Sequence, residues 1–330
     1  MCEVIIIMWL QLRLYLLVGL LFAILYGIIA AIGFLLGVQG MTYYFFLIGF
    51  AVVLVLIQFM IGPKTVEWSM KVKYVSSEEY PELHQMISNL SAKAGLSKTP
   101  KIGVSQLQIP NAFAFGRSKK DARVCVTKGI LDLLDKEELR AVLGHEISHV
   151  KHHDVAVITL LSVVPMIMYM IYITFFWGGM FGRRRDTGGM IAIGLLALVV
   201  YFITNLLVMY GSRIREYYAD LGSAELGNQP HYLATALYKL SLGSAQASRK
   251  TLKQSEGMKA FFLNDPSRAR EEIRDLKDID LDMSGTIDQH ELMMLQSQKI
   301  KLRKGDRLME VLSTHPNMVK RIKHLASLQQ

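Results

Sequence analysis

Two long apolar runs, about Val155 to Trp177 and about Met190 to Tyr210, constrain this chain more than anything else in it. Each is near the roughly 20 residues that cross a bilayer as a helix, and a short glycine-rich turn carrying Arg183, Arg184, Arg185 and Asp186 joins them. Two antiparallel helices so joined pack with their axes about 8–10 Å apart. The residues just before the first run must therefore meet those just after the second.

What meets there is chemically specific. His145-Glu146-Ile147-Ser148-His149 is an HExxH pentapeptide, and Leu139, Val142, Leu143 and Ile147 recur at helical spacing through it. On a helix, His145 and His149 share a face, and Glu146 projects beside them as the base of a zinc hydrolase does. A catalytic zinc takes three protein ligands and leaves one position open. Val155 stands where a compact motif would supply a third His. Glu216 and Asp220, four residues apart in Glu216-Tyr217-Tyr218-Ala219-Asp220, share the face of a second helix. His149 precedes the first apolar run by six positions and Glu216 follows the second by six, so both sit roughly 9 Å beyond the same membrane face. Glu216 is assigned as the third zinc ligand and Asp220 as the carboxylate that holds a ligand imidazole.

Hydrophobic residues make up 52% of the 330 and mean hydropathy is +0.29, which marks an integral membrane protein. Two further runs, about Leu14 to Gly37 and about Met41 to Ile61, form an N-terminal hairpin with the uncharged connection Val38-Gln39-Gly40. The first run is longer than a signal-peptide core and a second span follows at once, so a retained anchor is expected. Four spans place both termini on the catalytic side. Arg13, Lys64, Lys71, Lys73, Lys151, Arg213 and Arg215 lie on that side and only Arg183, Arg184 and Arg185 on the other, which makes the catalytic side cytoplasmic and the protein a multi-pass component of the cell membrane. A net charge of +9 suits a body lying on anionic lipid, and no nucleic-acid motif competes for it. Cys2 and Cys125 are too few for a disulfide framework.

The expected fold is α+β and mostly helical: a zincin-type catalytic body with a small sheet, combined with four transmembrane helices. Residues 1–61 form the first hairpin, 62–154 the first part of the catalytic domain, 155–210 the second hairpin and 211–330 the second part. In the first part, a helix from Tyr80 to Ala94 precedes the strand Lys101–Val104. Pro110–Gly116 and Arg123–Thr127 then form strands whose turn holds Ser118 to Asp121. Ala112, Phe113, Ala114 and Phe115 are the candidate edge strand for pairing with extended substrate backbone. In the second part, Tyr232 to Leu242 is amphipathic, Ser244 to Glu256 polar, and Lys259 to Leu263 a short apolar piece. His152 and His153 are expected at the lipid interface, while His84, His231 and His324 look like ordinary helix residues.

Asn111-Ala112-Phe113, Gly144-His145-Glu146-Ile147-Ser148-His149, Ser212 through Asp220, and Ser313-Thr314-His315-Pro316 with Arg321-Ile322 together resemble the HtpX membrane metalloproteases, relatives of the CAAX prenyl proteases. The resemblance covers most of the chain. It implies a zinc endopeptidase facing the cytoplasm, acting on damaged or misfolded membrane proteins, with Glu216 on zinc. It also implies that His315 and Arg321 lie near the scissile carbonyl as candidates to stabilise an oxyanion. Two alternatives are a prenyl-protein-type processing protease, disfavoured by too few spans to enclose a large chamber, and a non-catalytic zinc- or calcium-binding scaffold. Glu146 argues against the scaffold, since a structural site needs no base.

One segment departs from that family's pattern. Residues 280–291 have the form of an EF-hand calcium loop: Asp280, Asp282 and Ser284 at loop positions 1, 3 and 5, Gly285 at 6, the Thr286 carbonyl at 7, Asp288 at 9 and Glu291 at 12. Asp265 and Pro266 suit the start of an entering helix to about Lys277, and Leu292 to Lys299 the exit helix. Zinc is the expected cofactor and calcium a candidate second ion, with protein or peptide substrates and the bilayer as partners.

Overall fold

The computed structural model describes residues 41–181, 187–246, 279–297 and 309–329, with single positions among residues 16–27 and Leu263, Ile273 and Leu276. Most of the run Leu14–Gly37, its connection 38–40, Arg183–Asp186, the polar stretch after Gln246 and most of the helix expected from Asp265 lie outside the described residues. In chain order the described elements are α1 (Met41–Ser69), β1 (Val72–Tyr74), α2 (Pro81–Lys93), β2 (Lys101–Ser105), β3 (Ala112–Gly116), β4 (Ala122–Thr127), α3 (Lys128–Leu133), α4 (Lys136–Lys151), α5 (Asp154–Phe181), α6 (Thr187–Glu225), α7 (Pro230–Gln246), α8 (Gln289–Ser297) and α9 (Met318–Ala326). The chain divides into two compact units, Met1–Met60 with Val157–Ile214, and Ile61–Ala156 with Arg215–Gln330.

The first unit holds most of α5 and α6. Among the described residues these two helices are long and apolar enough to cross a membrane. Met168 and Ile171 pack on Ile193 and Ala197, and farther along Leu161 and Val164 pack with Leu17 and Leu21. The second helix expected to carry the ExxxD pair is the continuation of α6, which runs unbroken from the apolar run through Glu216 and Asp220. No proline interrupts 187–225, and Gly211 stays helical with Leu17 and Leu161 side chains against it.

The second unit is built on a four-stranded sheet of order β1-β2-β4-β3. β2 and β4 are parallel, the outer pairs antiparallel, and the β3–β4 register sets Phe113 opposite Cys125 and Ala114 opposite Val124. β3 is thus an edge strand. The turn after it includes a 3-10 segment, Lys119–Asp121, capped by Ser118. Val66 and Met70 pack against Phe113, Phe115 and Cys125, and burying each such side chain is worth ~1.5–3 kcal/mol. That packing explains why α1 continues to Ser69, eight residues past the apolar run that ends near Ile61. α4 packs under β3, α7 lies along α4, and α9 packs on both α7 and α8.

Candidate metal centre

Helix α4 starts on a capping box. Asp135 accepts from the N–H groups of Glu137 and Glu138, and Glu138 reaches back to the Asp135 N–H at 3.1 Å. Such caps contribute about 0.5–2 kcal/mol. Glu138 is itself buried and gripped by Lys239 of α7 at 2.6 and 2.8 Å. Gly144 allows the crossing with α6, since a Cβ there would strike Asn228 and meet Ser223 Oγ at 2.8 Å. Ser223 Oγ donates to the Ala141 carbonyl at 2.7 Å across the same contact. This close approach sets Glu216 against the histidines.

His145 and His149 turn their Nε2 atoms toward each other at 3.1 Å. Glu216 Oε2 lies 3.8 Å from His145 Nε2, and Oε1 lies 3.6 Å from His149 Nε2. On the far side of one ring, His145 Nδ1 meets Asp220 Oδ1 at 2.9 Å. His145, Glu146 and His149 also form a group able to hold a metal ion. Glu146 is buried beside them and accepts from the Ala114 N–H of β3. Burial pushes its carboxyl above the ordinary range, against the pull of the two imidazoles. A carboxylate shifted upward in this way takes a proton more readily than an ordinary one, as a general base requires.

His315 and Arg321 are both brought to this site, in different postures. His315 Nδ1 lies 3.4 Å from Glu216 Oε2, and neither buried ring nitrogen completes a hydrogen bond. Arg321 is fully buried and already engaged: Nε and Nη2 donate to the two Asp220 oxygens at 3.0 and 2.6 Å, and Nη1 donates to the Leu263 carbonyl at 2.9 Å. Nη1 also lies 2.9 Å from Glu216 Oε2. Burial opposes a charged guanidinium, and Asp220 and Glu216 outweigh it, so its pKa is raised. Its donors thus face Asp220, Glu216 and the Leu263 carbonyl.

Two contacts are absent from the sequence reading. His149 Nδ1 meets Asp154 Oδ2 at 2.6 Å, and Asp154 Oδ1 is paired with Arg215. Asp154 comes five residues after His149, and only the left-handed backbone at His153, φ 58°, turns it back to the ring. His152 does not face the imidazole pair; its ring lies on Ser148, and its carbonyl accepts from Arg215 at 3.1 Å.

Away from this centre, residues 280–291 close on themselves. Asp280 accepts from the N–H groups of Ser284 and Gly285 at 3.0 and 2.9 Å, and Asp282 accepts from Ser284 at 2.9 Å. Glu291 returns to the start of the loop, accepting from Leu281 at 2.7 Å and from Asp288 at 3.0 Å. Ser284 Oγ contacts Thr286 Oγ1 at 2.8 Å. Gly285 takes φ +81°, which suits a residue without Cβ. Ile287 is fully buried with its N–H and carbonyl both on Thr235 Oγ1, and Tyr238 donates to Asp280 at 3.0 Å. Asp280, Asp282 and Glu291 form a second group able to hold a cation. The exit helix α8 begins at Gln289 rather than Leu292, because Asp288 caps it by accepting from Glu291 at 2.8 Å.

The model of peptidase family M48 matches residues 77–329. A relative named Protease HtpX homolog from Methanothermobacter thermautotrophicus is 52% identical over 71% of this chain and 86% of its own length. Protease HtpX homolog 2 from Methanosarcina acetivorans is 37% identical over 83% of this chain and 81% of its own. Among solved structures, that of S. mikatae Ste24p aligns with a TM-score of 0.51 at 16% identity, over 93% of this chain and 62% of that one, a likeness of fold.

Proposed function

Since this chain belongs to peptidase family M48, we propose that it is a zinc-dependent membrane endopeptidase whose ligands are His145, His149 and Glu216 and whose base is Glu146. The observation that carries this reading is the convergence of two imidazole Nε2 atoms, 3.1 Å apart, on one carboxylate. Ligands held about 2.0–2.2 Å from one tetrahedral zinc lie about 3.3–3.6 Å from each other, close to the separations seen here, so the donor set fits.

Zinc bound there supplies Lewis acidity and acidifies water. Glu146 accepts the proton of the attacking water and passes it to the leaving amine. Asp220 and Arg321 hold His145 and Glu216 in place. His315, whose Nδ1 faces Glu216 and whose Nε2 completes no hydrogen bond, is assigned to the oxygen that gains charge in the transition state. Ala112 to Phe115, on the terminal strand of the sheet beside α4, would take substrate backbone as an added strand. Misfolded or damaged membrane proteins are the proposed substrates, four spans the proposed topology, and the cytoplasm the proposed side of the catalytic unit.

The loop 280–291 is proposed to take calcium through Asp280, Asp282, Ser284, the Thr286 carbonyl, Asp288 and Glu291. Support comes from two carboxylates, Asp280 and Glu291, each 5% exposed, which accept from backbone N–H groups and the Tyr238 hydroxyl. Buried charges are ordinarily paired or metal-bound. Lacking a paired second loop, it should bind with a Kd of about 10⁻⁵ to 10⁻³ M.

The test is cleavage of an unfolded membrane protein by the purified full chain in detergent, stopped by chelator and restored by zinc. Cleavage that persists after zinc removal would reject the reading. A cysteine at Gly188 should label from outside the cell and one at Lys98 should not; the reverse would invert the topology.

A further inference from the structure

The two histidines of the centre are held by matching devices. His145 Nδ1 rests on Asp220, which Arg321 grips; His149 Nδ1 rests on Asp154, whose other oxygen is ion-paired with Arg215. All four partners are at least nine-tenths buried. An acceptor on Nδ1 fixes the proton there and leaves the Nε2 lone pair for a metal, with the ring held in one orientation. Sequence spacing points to the first device through the ExxxD pair. Nothing in the pattern points to the second.

We propose that Asp154 and Arg215 are positioning residues for His149, setting how tightly the centre holds zinc. Arg215 has a further reason to matter, because it directly precedes Glu216 on α6. The helical turn that carries one ligand therefore also carries the cation that anchors the carboxylate of another. Arg215 Nη2 additionally donates to the His152 carbonyl, bracing the turn that brings Asp154 back to the ring. Three ligands on two helices are tied into one unit by this pair. The arginine touches none of the ligand atoms, so it acts on His149 through Asp154 and the turn that carries it.

This inference rests on the zinc reading above, and zinc titration against a chromophoric chelator separates the two. Asp154→Asn should weaken zinc binding about 10–100-fold. Arg215→Met should weaken it less, Arg215→Lys should recover most of that loss, and Asp154→Asn with Arg215→Met should match Asp154→Asn alone. The absorption bands of the cobalt-substituted protein should shift in Asp154→Asn, which a merely structural loss of stability would not cause. The double variant removes both buried charges together and keeps the test usable if either single variant fails to fold. Zinc affinity and cobalt bands unchanged in Asp154→Asn would overturn the inference while leaving the zinc reading intact. Wild-type protein that binds no zinc would remove both.

Discussion

Arg321 grips Asp220 with two of its nitrogens, at 2.6 and 3.0 Å, and the same carboxylate holds His145 Nδ1 at 2.9 Å. A helix near the C-terminus is thereby fastened to the centre through one buried carboxylate. Removing the guanidinium leaves Asp220 buried without its cation, a loss on the order of 3–5 kcal/mol. Arg321→Met should lower the melting temperature of the zinc-free protein and weaken zinc binding together. If Arg321→Met instead leaves stability and zinc affinity intact and reduces only kcat, the residue serves the transition state directly.

Glu216 and Asp220 should separate in metal analysis. Glu216→Ala removes a proposed ligand and should weaken zinc binding by tens-fold or more. Asp220→Asn keeps a group on His145 Nδ1 and should cost less. Equal zinc content in Glu216→Ala and wild type, with loss in Asp220→Asn, would move the third ligand to Asp220.

Calorimetry with zinc held constant should detect one calcium site, abolished in Glu291→Ala, which removes the position that closes the loop onto Leu281 and Asp288. α8 packs on α9, the helix of Arg321, so calcium should also raise the melting temperature. Absence of calcium heat below millimolar concentration, or heat that survives Glu291→Ala, would leave the loop without an ion.

Burial, with Arg215 and Lys151 nearby, lowers the His152 pKa to about 4. The unfolded value is about 6.5, so the unfolded chain binds the extra proton first. The stability this neutral ring contributes is present above pH 6.5 and is lost as pH falls toward 4. Melting temperatures of the zinc-free protein should therefore fall less between pH 7 and pH 4.5 in His152→Gln than in wild type. Parallel curves would show that His152 does not titrate in this window.

Helix α4 and the strands around Phe113 were legible because their signals are local: apolar spacing along the helix and turn residues at 118–121. The approach of Glu216 could be argued from the hairpin because matched offsets at both ends of two spans constrain three dimensions. Asp154 gave no such signal. Its approach to His149 depends on one left-handed residue at His153, a conformation that sequence does not announce at a histidine. Arg321 was visible as a residue of the site, but its posture depends on which carboxylates meet it in the folded core.

The central claim is that Glu146 is the base and not a ligand. The direct measurement is the rate of peptide-bond cleavage and the zinc content of Glu146→Gln on the same preparation. The rate should fall about 10²–10⁴-fold, with zinc held near one equivalent per chain. Near-normal turnover, or loss of the zinc along with the activity, would contradict the assignment.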